Sequence, residues 1–169
     1  VTLAQLLDAN YPAAPKGAGA PRFRLVTREG ISAGAGRNSG LLRIDASALQ
    51  KLAFEAFRDI SFLFRTSHLE AWAGILDDPA ASDNDRFVAA ALLANAAISA
   101  EGVLPSCQDT GTATVIGLKG EGVATGADDE AAIVEGVRDA YARCNLRFSQ
   151  VAPVSQFDEM PTGTNLPAQ

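Results

Sequence analysis

Cysteine, histidine, methionine and excess positive charge are all scarce in this sequence, and each scarcity narrows what the protein can be. Two cysteines, Cys107 and Cys144, in 169 residues are too few for a disulfide scaffold. The sole histidine, His68, makes a Cys/His nucleophile depend on the fold bringing it to Cys107. The only methionine is Met160, so the chain is expected to be a piece of something longer. Fourteen Lys and Arg against twenty Asp and Glu give a net charge of −6 and a pI near 4.7. That balance leaves no broad electrostatic footprint for nucleic acid or an anionic membrane, although a few local arginines suffice for a small anionic substrate.

Long hydrophobic runs are missing too. The longest, Phe87 to Ile98, is interrupted by Asn95 and falls short of the roughly 20 residues that span a bilayer. The opening VTLAQLLDANYP has neither a basic start nor a cleavable apolar core, so a cytoplasmic protein is expected. What is present in quantity is alanine, 32 residues of it, and glycine, 15. With 47% hydrophobic and 20% charged residues the composition is that of one packed domain, not of a disordered tail, a fibre or a disulfide miniprotein.

The spacer PAAPKGAGAPR cannot hold a regular helix, so residues 1–21 read as an arm and linker ahead of a domain at 22–169. RFRLVT alternates Phe23 and Leu25 with polar neighbours, and LLRID, beyond the glycine-rich ISAGAGRNSG, is expected to return beside it as a ribbon. From Asp45 to about Phe64, Leu49, Leu52, Ala53, Ala56, Phe57, Ile60 and Leu63 recur at helical steps. Ser67 with Glu70 and Ser82 with Asp85 have the spacing of helix-start boxes, the first helix stopping at Pro79 and the second, from Phe87 to Ala100, at Gly102. All three helices are expected to build the core. TATVIGL and EGVAT, separated by Lys119 and Gly120, predict a hairpin. Asp128, Asp129 and Glu130 open a helix carrying Ile133, Val134, Val137, Ala140 and Tyr141 and ending near Asn145, after which Arg147 to Gln169 is expected to be extended or looping. The sum is an α+β domain, mainly helical, around a small mixed sheet.

Gly34, Gly36 and Gly40 fit neither the dinucleotide fingerprint nor the phosphate loop, so they read as a turn. Cys144, near a helix end, reads as a small apolar filler. Cys107 differs, because PSCQDTGT is a polar, glycine-bounded loop between a helix end and a strand start, where functional groups concentrate. On its own Arg147 is a surface arginine.

GVLPSCQDTGTATVIGLKG, DDEAAIVEGVRDAY, NLRFSQVAPVSQF and TGTNLPAQ, in this order and spacing, resemble the amino-terminal part of the class I, iron-sulfur dependent fumarate hydratases. The upstream LAFEAFRDISFLFR and ILDDPAASDNDRFVAAALLANAAISAEG extend the resemblance to residues 22–169, and L-tartrate dehydratase alpha subunits share much of it. The resemblance implies a 4Fe-4S cluster held by three cysteines, with one iron left open as a Lewis acid toward substrate. Cys107 is then the first ligand, Gln108 and Asp109 a substrate-contacting pair, Asp109 also the proton-transfer group, and Arg147 an arginine that grips a substrate carboxylate. The other two ligands are expected beyond residue 169, so this chain alone is expected to be inactive. The implied reaction is reversible hydration of fumarate to malate, or dehydration of tartrate in the related enzymes, with a homodimer and the remainder of the enzyme as partners. The rival from another class is a non-catalytic module that has kept the fold.

Overall fold

A computed structural model describes residues 24–34, 36, 40–107, 112–126, 128–163 and 165. The expected arm at 1–21 lies outside them. Among the described residues run strands β1 (Ile31–Ala33) and β2 (Leu42–Ile44), helices α1 (Ala46–Phe62), α2 (Thr66–Asp77) and α3 (Asp83–Ser99), strand β3 (Val123–Thr125), helix α4 (Asp129–Arg143), and strands β4 (Val151–Pro153) and β5 (Glu159–Pro161). The class is α+β, as expected. The described residues divide into two compact units, one holding 24 and 59–107, the other those within 25–58 and 112–165, and α1 passes from the second into the first.

In the first unit α2 packs on α3. Leu69 and Ala96 form its buried centre, flanked by Phe64, Trp72, Leu93 and Ala97, and the Phe64 and Trp72 rings meet edge to face at 5.0 Å. The start of α3 is the box read from the sequence: the Ser82 side chain accepts from the Asp85 N–H while Asp85 accepts from the Ser82 N–H. That bonding holds the exposed Asp85 carboxyl below its ordinary range, the Ser82 side-chain hydrogen bond being the largest cause. The Ser67 box does not form. Helix α2 begins at Thr66 with Arg65 as its cap and no side-chain capping bond, so Ser67 is already inside the first turn. Nor do all apolar residues of α3 enter the core. Its buried side is Ala89, Ala96 and Ser99, while Phe87 and Ile98 are 73% and 52% exposed. Alanine and serine let a helix approach its neighbour closely, which sends the larger side chains outward. Gly102, at φ +76, takes the left-handed conformation that ends the helix.

In the second unit β1 and β2 pair antiparallel, Ser32 opposite Arg43, and β3 joins β2 in parallel, Arg43 opposite Ala124. Two expectations are corrected here. The ribbon's first strand is Ile31–Ala33; of RFRLVT, the described residues 24–27 form no strand, Leu25 being 65% exposed, and a turn at 28–30 follows. TATVIGL forms no strand: Ile116 and Leu118 are almost fully exposed, and EGVAT contributes β3 to β2 instead of pairing back. β-branched residues favour a strand only where a neighbouring strand and a packed face exist for them.

Helix α4 lies on α1 through Gly136. A Cβ there would stand 2.2 Å from the Gln50 carbonyl oxygen and 2.7 Å from the Ala53 Cβ, so only glycine permits this approach. The contact also sets which side of α1 is buried. Ala48 and Ala53 are covered and Phe57 stacks toward Tyr141 at 6.5 Å, whereas Leu52 is 51% exposed, so the buried stripe is rotated from the predicted one. The start of α4 is as read, with the Asp128 side chain accepting from the N–H groups of Glu130 and Ala131. Beyond Asn145, at φ +54, the segment expected to be irregular contains a hairpin: β4 and β5 pair antiparallel with Ala152 opposite Met160. Its turn is closed by Ser155 and Asp158, whose side chains bond at 2.7 Å while the Asp158 N–H donates to the Ser155 hydroxyl.

Candidate functional site

Cys107 follows the turn that ends α3, and three hydrogen bonds hold its backbone. Ser106, which is buried, donates to the Ser61 carbonyl through both its N–H (2.8 Å) and its hydroxyl (2.9 Å). The Cys107 N–H donates to the Asn95 side-chain oxygen at 3.0 Å. Both anchors belong to helices, Ser61 to the last turn of α1 and Asn95 to α3. A further bond ties those helices together: the fully buried Ser99 hydroxyl donates to the Phe62 carbonyl at 2.9 Å, occupying one of the carbonyls that a helix end leaves over. The Cys107 backbone is thus fixed while its thiol is exposed. Gln108 and Asp109 lie outside the described residues.

Arg147 is held differently. Leu146 before it is buried and the partly exposed Phe148 after it stacks with Tyr141 at 5.4 Å, while Arg147 between them is exposed. Its carbonyl accepts from the Asn165 side-chain amide at 3.3 Å. The same amide donates to the Ser149 hydroxyl at 3.3 Å, and the Asn165 side-chain oxygen accepts from the Gln150 N–H at 3.0 Å. The Asn165 carbonyl accepts from the Ala113 N–H at 2.9 Å. Gln150 extends the network, its amide donating to the Thr112 hydroxyl at 2.9 Å and its backbone carbonyl accepting from the Thr162 N–H at 2.9 Å. Three strings that are far apart in the sequence, the end of PSCQDTGT, then NLRFSQ, then TGTNLPAQ, therefore converge on one set of hydrogen bonds.

Of the residues singled out from the sequence, Cys107 and Arg147 are placed by the structure on surfaces with fixed backbones, each within its own unit. His68 is exposed and its ring lies beside Trp72, 6.0 Å between centroids. Cys144, capping the end of α4, is half-buried, and burial pushes its thiol up, disfavouring the thiolate that a metal needs. Gly34 donates its N–H to the Leu41 carbonyl at 2.7 Å across the β1–β2 connection, the role of a turn. Asn95, Gln150 and Asn165 were not singled out. Asn95 carries a visible signal, being the one polar break in the Phe87 to Ile98 run.

The donor set suits a metal cluster only in part. Cys107 offers one exposed thiol on a held backbone, and among the described residues no group of three or more His, Cys, Asp or Glu could hold a metal ion. A second shallow feature, a cleft of about 340 Å³ between α1 and α4, is lined by Gln50, Lys51, Phe54, Glu55, Asp139 and Arg143, with the Arg143 guanidinium 4.9 Å from the Phe54 ring centre. Its two cations face two carboxylates, so it favours no charge of ligand. No helix among the described residues is long and apolar enough to cross a membrane.

Residues 50–169 match the family model described as fumarate hydratase (fumerase). The chain is 48% identical over 147 residues, 87% of its length, to the aerobic class I fumarate hydratase of Escherichia coli K12. It is 44% identical over 155 residues, 92% of its length, to the anaerobic class I enzyme of the same organism. To the protein named fumarate hydratase 1, mitochondrial, of Leishmania major it is 48% identical over 151 residues, 88% of its length. The matched parts are 27%, 28% and 27% of those relatives, so the chain spans about a quarter of their length. Identity of this order over most of the chain, together with a family match covering the segments that hold Cys107, Arg147 and Asn165, places the sequence in the class I fumarate hydratase family.

Proposed function

We propose that this chain forms one wall of the active site of a hydro-lyase that reversibly adds water to fumarate, and that the site is completed by the remainder of the enzyme. The observation that carries the reading is the placement of Cys107: an exposed thiol on a backbone pinned by Ser61 and Asn95, in a chain that aligns with class I fumarate hydratases over 87% of its length. The names of the matched relatives favour fumarate over tartrate, and nothing in the geometry favours a non-catalytic module. On this reading residues 22–169 are the amino-terminal part of the catalytic domain, and the parent is a cytoplasmic homodimer that takes small dicarboxylates.

In this account Cys107 supplies one of three thiolate ligands to a 4Fe-4S cluster, the other two coming from outside this chain. When bound, such a cluster supplies a Lewis acid that polarises an oxygen of substrate or water. The chain's own residues do the rest. Arg147 meets a substrate carboxylate with two parallel N–H donors, which orients the carbon chain and stabilises charge developing on that carboxylate. Gln108 contacts the substrate, and Asp109 moves a proton at the carbon next to a carboxylate.

The test is the full-length parent, reconstituted anaerobically with iron and sulfide and assayed on fumarate and on tartrate. Asp109→Asn is expected to keep the cluster and lower turnover by about a hundredfold or more, the usual weight of a general acid or base. Wild-type turnover in that variant would remove Asp109 from the mechanism, and turnover of tartrate alone would replace the substrate.

A further inference from the structure

We infer that Asn165 is a positioning residue for Arg147: its side chain fixes the backbone from which the substrate-gripping guanidinium projects. The inference rests on the functional reading of Arg147 given above. Asn165 is fully buried, yet its side chain is polar and surrounded by polar partners. A buried amide is tolerated where its hydrogen-bonding groups are satisfied. Here both amide protons are used, one on the Arg147 carbonyl and one on the Ser149 hydroxyl, and the side-chain oxygen takes the Gln150 N–H. The partners also define the orientation of the amide, since a carbonyl oxygen must accept and an N–H must donate. One side chain thus grips residues 147, 149 and 150, three positions of a single four-residue stretch. Helices and sheets fix such stretches by repetition, whereas this one precedes β4 and has Asn165 instead.

Backbone conformation points the same way. Asn165 sits at φ +51, in the left-handed region that asparagine enters more readily than most residues. The hairpin brings it there: β4 and β5 pair, Thr162 bonds Gln150 one step beyond the ladder, and the chain then turns Asn165 back over the segment it has just left. Through its own carbonyl Asn165 also receives the Ala113 N–H, four residues after Asp109. Asn165 therefore links the segment carrying Arg147 to the segment that follows the proposed proton-transfer residue, without being placed against substrate itself.

Two substitutions separate the side chain from the backbone. Asn165→Gly keeps access to the left-handed conformation and deletes the three side-chain bonds. Asn165→Asp keeps the acceptor for Gln150 but sets a carboxylate oxygen against the Arg147 carbonyl. In the full-length reconstituted enzyme each is expected to raise KM for fumarate about tenfold or more, with a smaller change in kcat and unchanged cluster absorbance. In Asn165→Gly the Gln150 amide should exchange hydrogen faster while the Ala113 amide, bonded to the backbone of 165, stays protected. Arg147→Ala should raise KM at least as much, and adding Asn165→Gly to it should raise KM little further.

An unchanged KM in folded Asn165→Gly, or fully additive effects in the double variant, would overturn the positioning role while leaving Arg147 as the substrate arginine. An unchanged KM in Arg147→Ala would instead sink the functional reading, and the inference with it. Failure of both Asn165 variants to fold would make the residue a determinant of the fold and overturn the positioning role.

Discussion

Cys107 and Arg147 are both exposed side chains on fixed backbones, but the fixing is done by opposite means. Cys107 hangs from helices: Ser106 bonds the last turn of α1, Asn95 projects from α3, and Ser99 ties α3 to the end of α1. The Arg147 backbone is held through a polar network of loop residues, in which Asn165 and Gln150 supply the hydrogen bonds. A helix anchor inherits the rigidity of a cooperative element. A loop network has no such reserve, and removing one of its members leaves the others with unmet hydrogen bonds. The cluster-ligand side is therefore expected to survive single substitutions that the substrate-arginine side does not.

The largest effect expected from a substitution that bears on this contrast lies within the second unit. Gly136→Ala, although alanine favours a helix, puts a methyl group 2.2 Å from the Gln50 carbonyl oxygen. The clash with backbone forces α4 away from α1, costing about 3 kcal/mol, the upper end of ordinary overpacking, and lowering the melting temperature in calorimetry. Next is Ser99→Ala, which leaves the Phe62 carbonyl without its buried donor. Its expected cost is about 1–3 kcal/mol by denaturant titration, with the cluster retained and KM unchanged in the full-length enzyme, because the Ser106 and Asn95 anchors of Cys107 remain. Smaller again is Asn95→Ala, where the Cys107 N–H loses its acceptor but can turn to water, for about 1 kcal/mol. There the sensitive readout is the rate at which a chelator strips iron from the reconstituted enzyme. A change in KM from Asn95→Ala, or insensitivity of KM to Asn165→Gly, would break the division between the two sides.

The smallest effect concerns pH. Asp129, at the start of α4, pairs with Lys119, and that hydrogen bond, with one from Thr125, holds its carboxyl below the ordinary range. A carboxyl depressed in the folded protein contributes stability that is present above its unfolded pKa and disappears as pH falls through its folded one. Lys119→Ala should therefore lower stability slightly near neutral pH, and the difference from wild type should vanish in acid. A difference that persists at low pH would assign the loss to something other than this pair.

How far these features were legible in the sequence follows from the range of the interactions. The α3 start was readable because Ser82 and Asp85 act on their own turn, and the α4 start because Asp128 does the same. The Ser67 spacing misled because the same pattern can fall two residues past the cap, inside the first turn. TATVIGL misled because strand formation depends on a partner, and its β-branched residues have none in a described strand. The hairpin escaped notice since each strand is three residues long and both end on proline, Pro153 and Pro161. At the site, loop composition flagged Cys107, whereas Arg147 gained meaning only through family resemblance. Asn165 was visible as a letter in TGTNLPAQ, but its partners lie 15 to 18 residues away, and no local pattern predicts them.

The central claim is that Cys107 is a cluster ligand, and Cys107→Ser in the full-length parent tests it most directly. After anaerobic reconstitution with iron and sulfide, the visible absorbance of the cluster and its iron content are measured beside wild type. A serine hydroxyl stays protonated near neutral pH and binds iron poorly, so the account predicts loss of cluster absorbance and of fumarate hydration, with helical content preserved. Full cluster absorbance and wild-type hydration in the serine variant would contradict it.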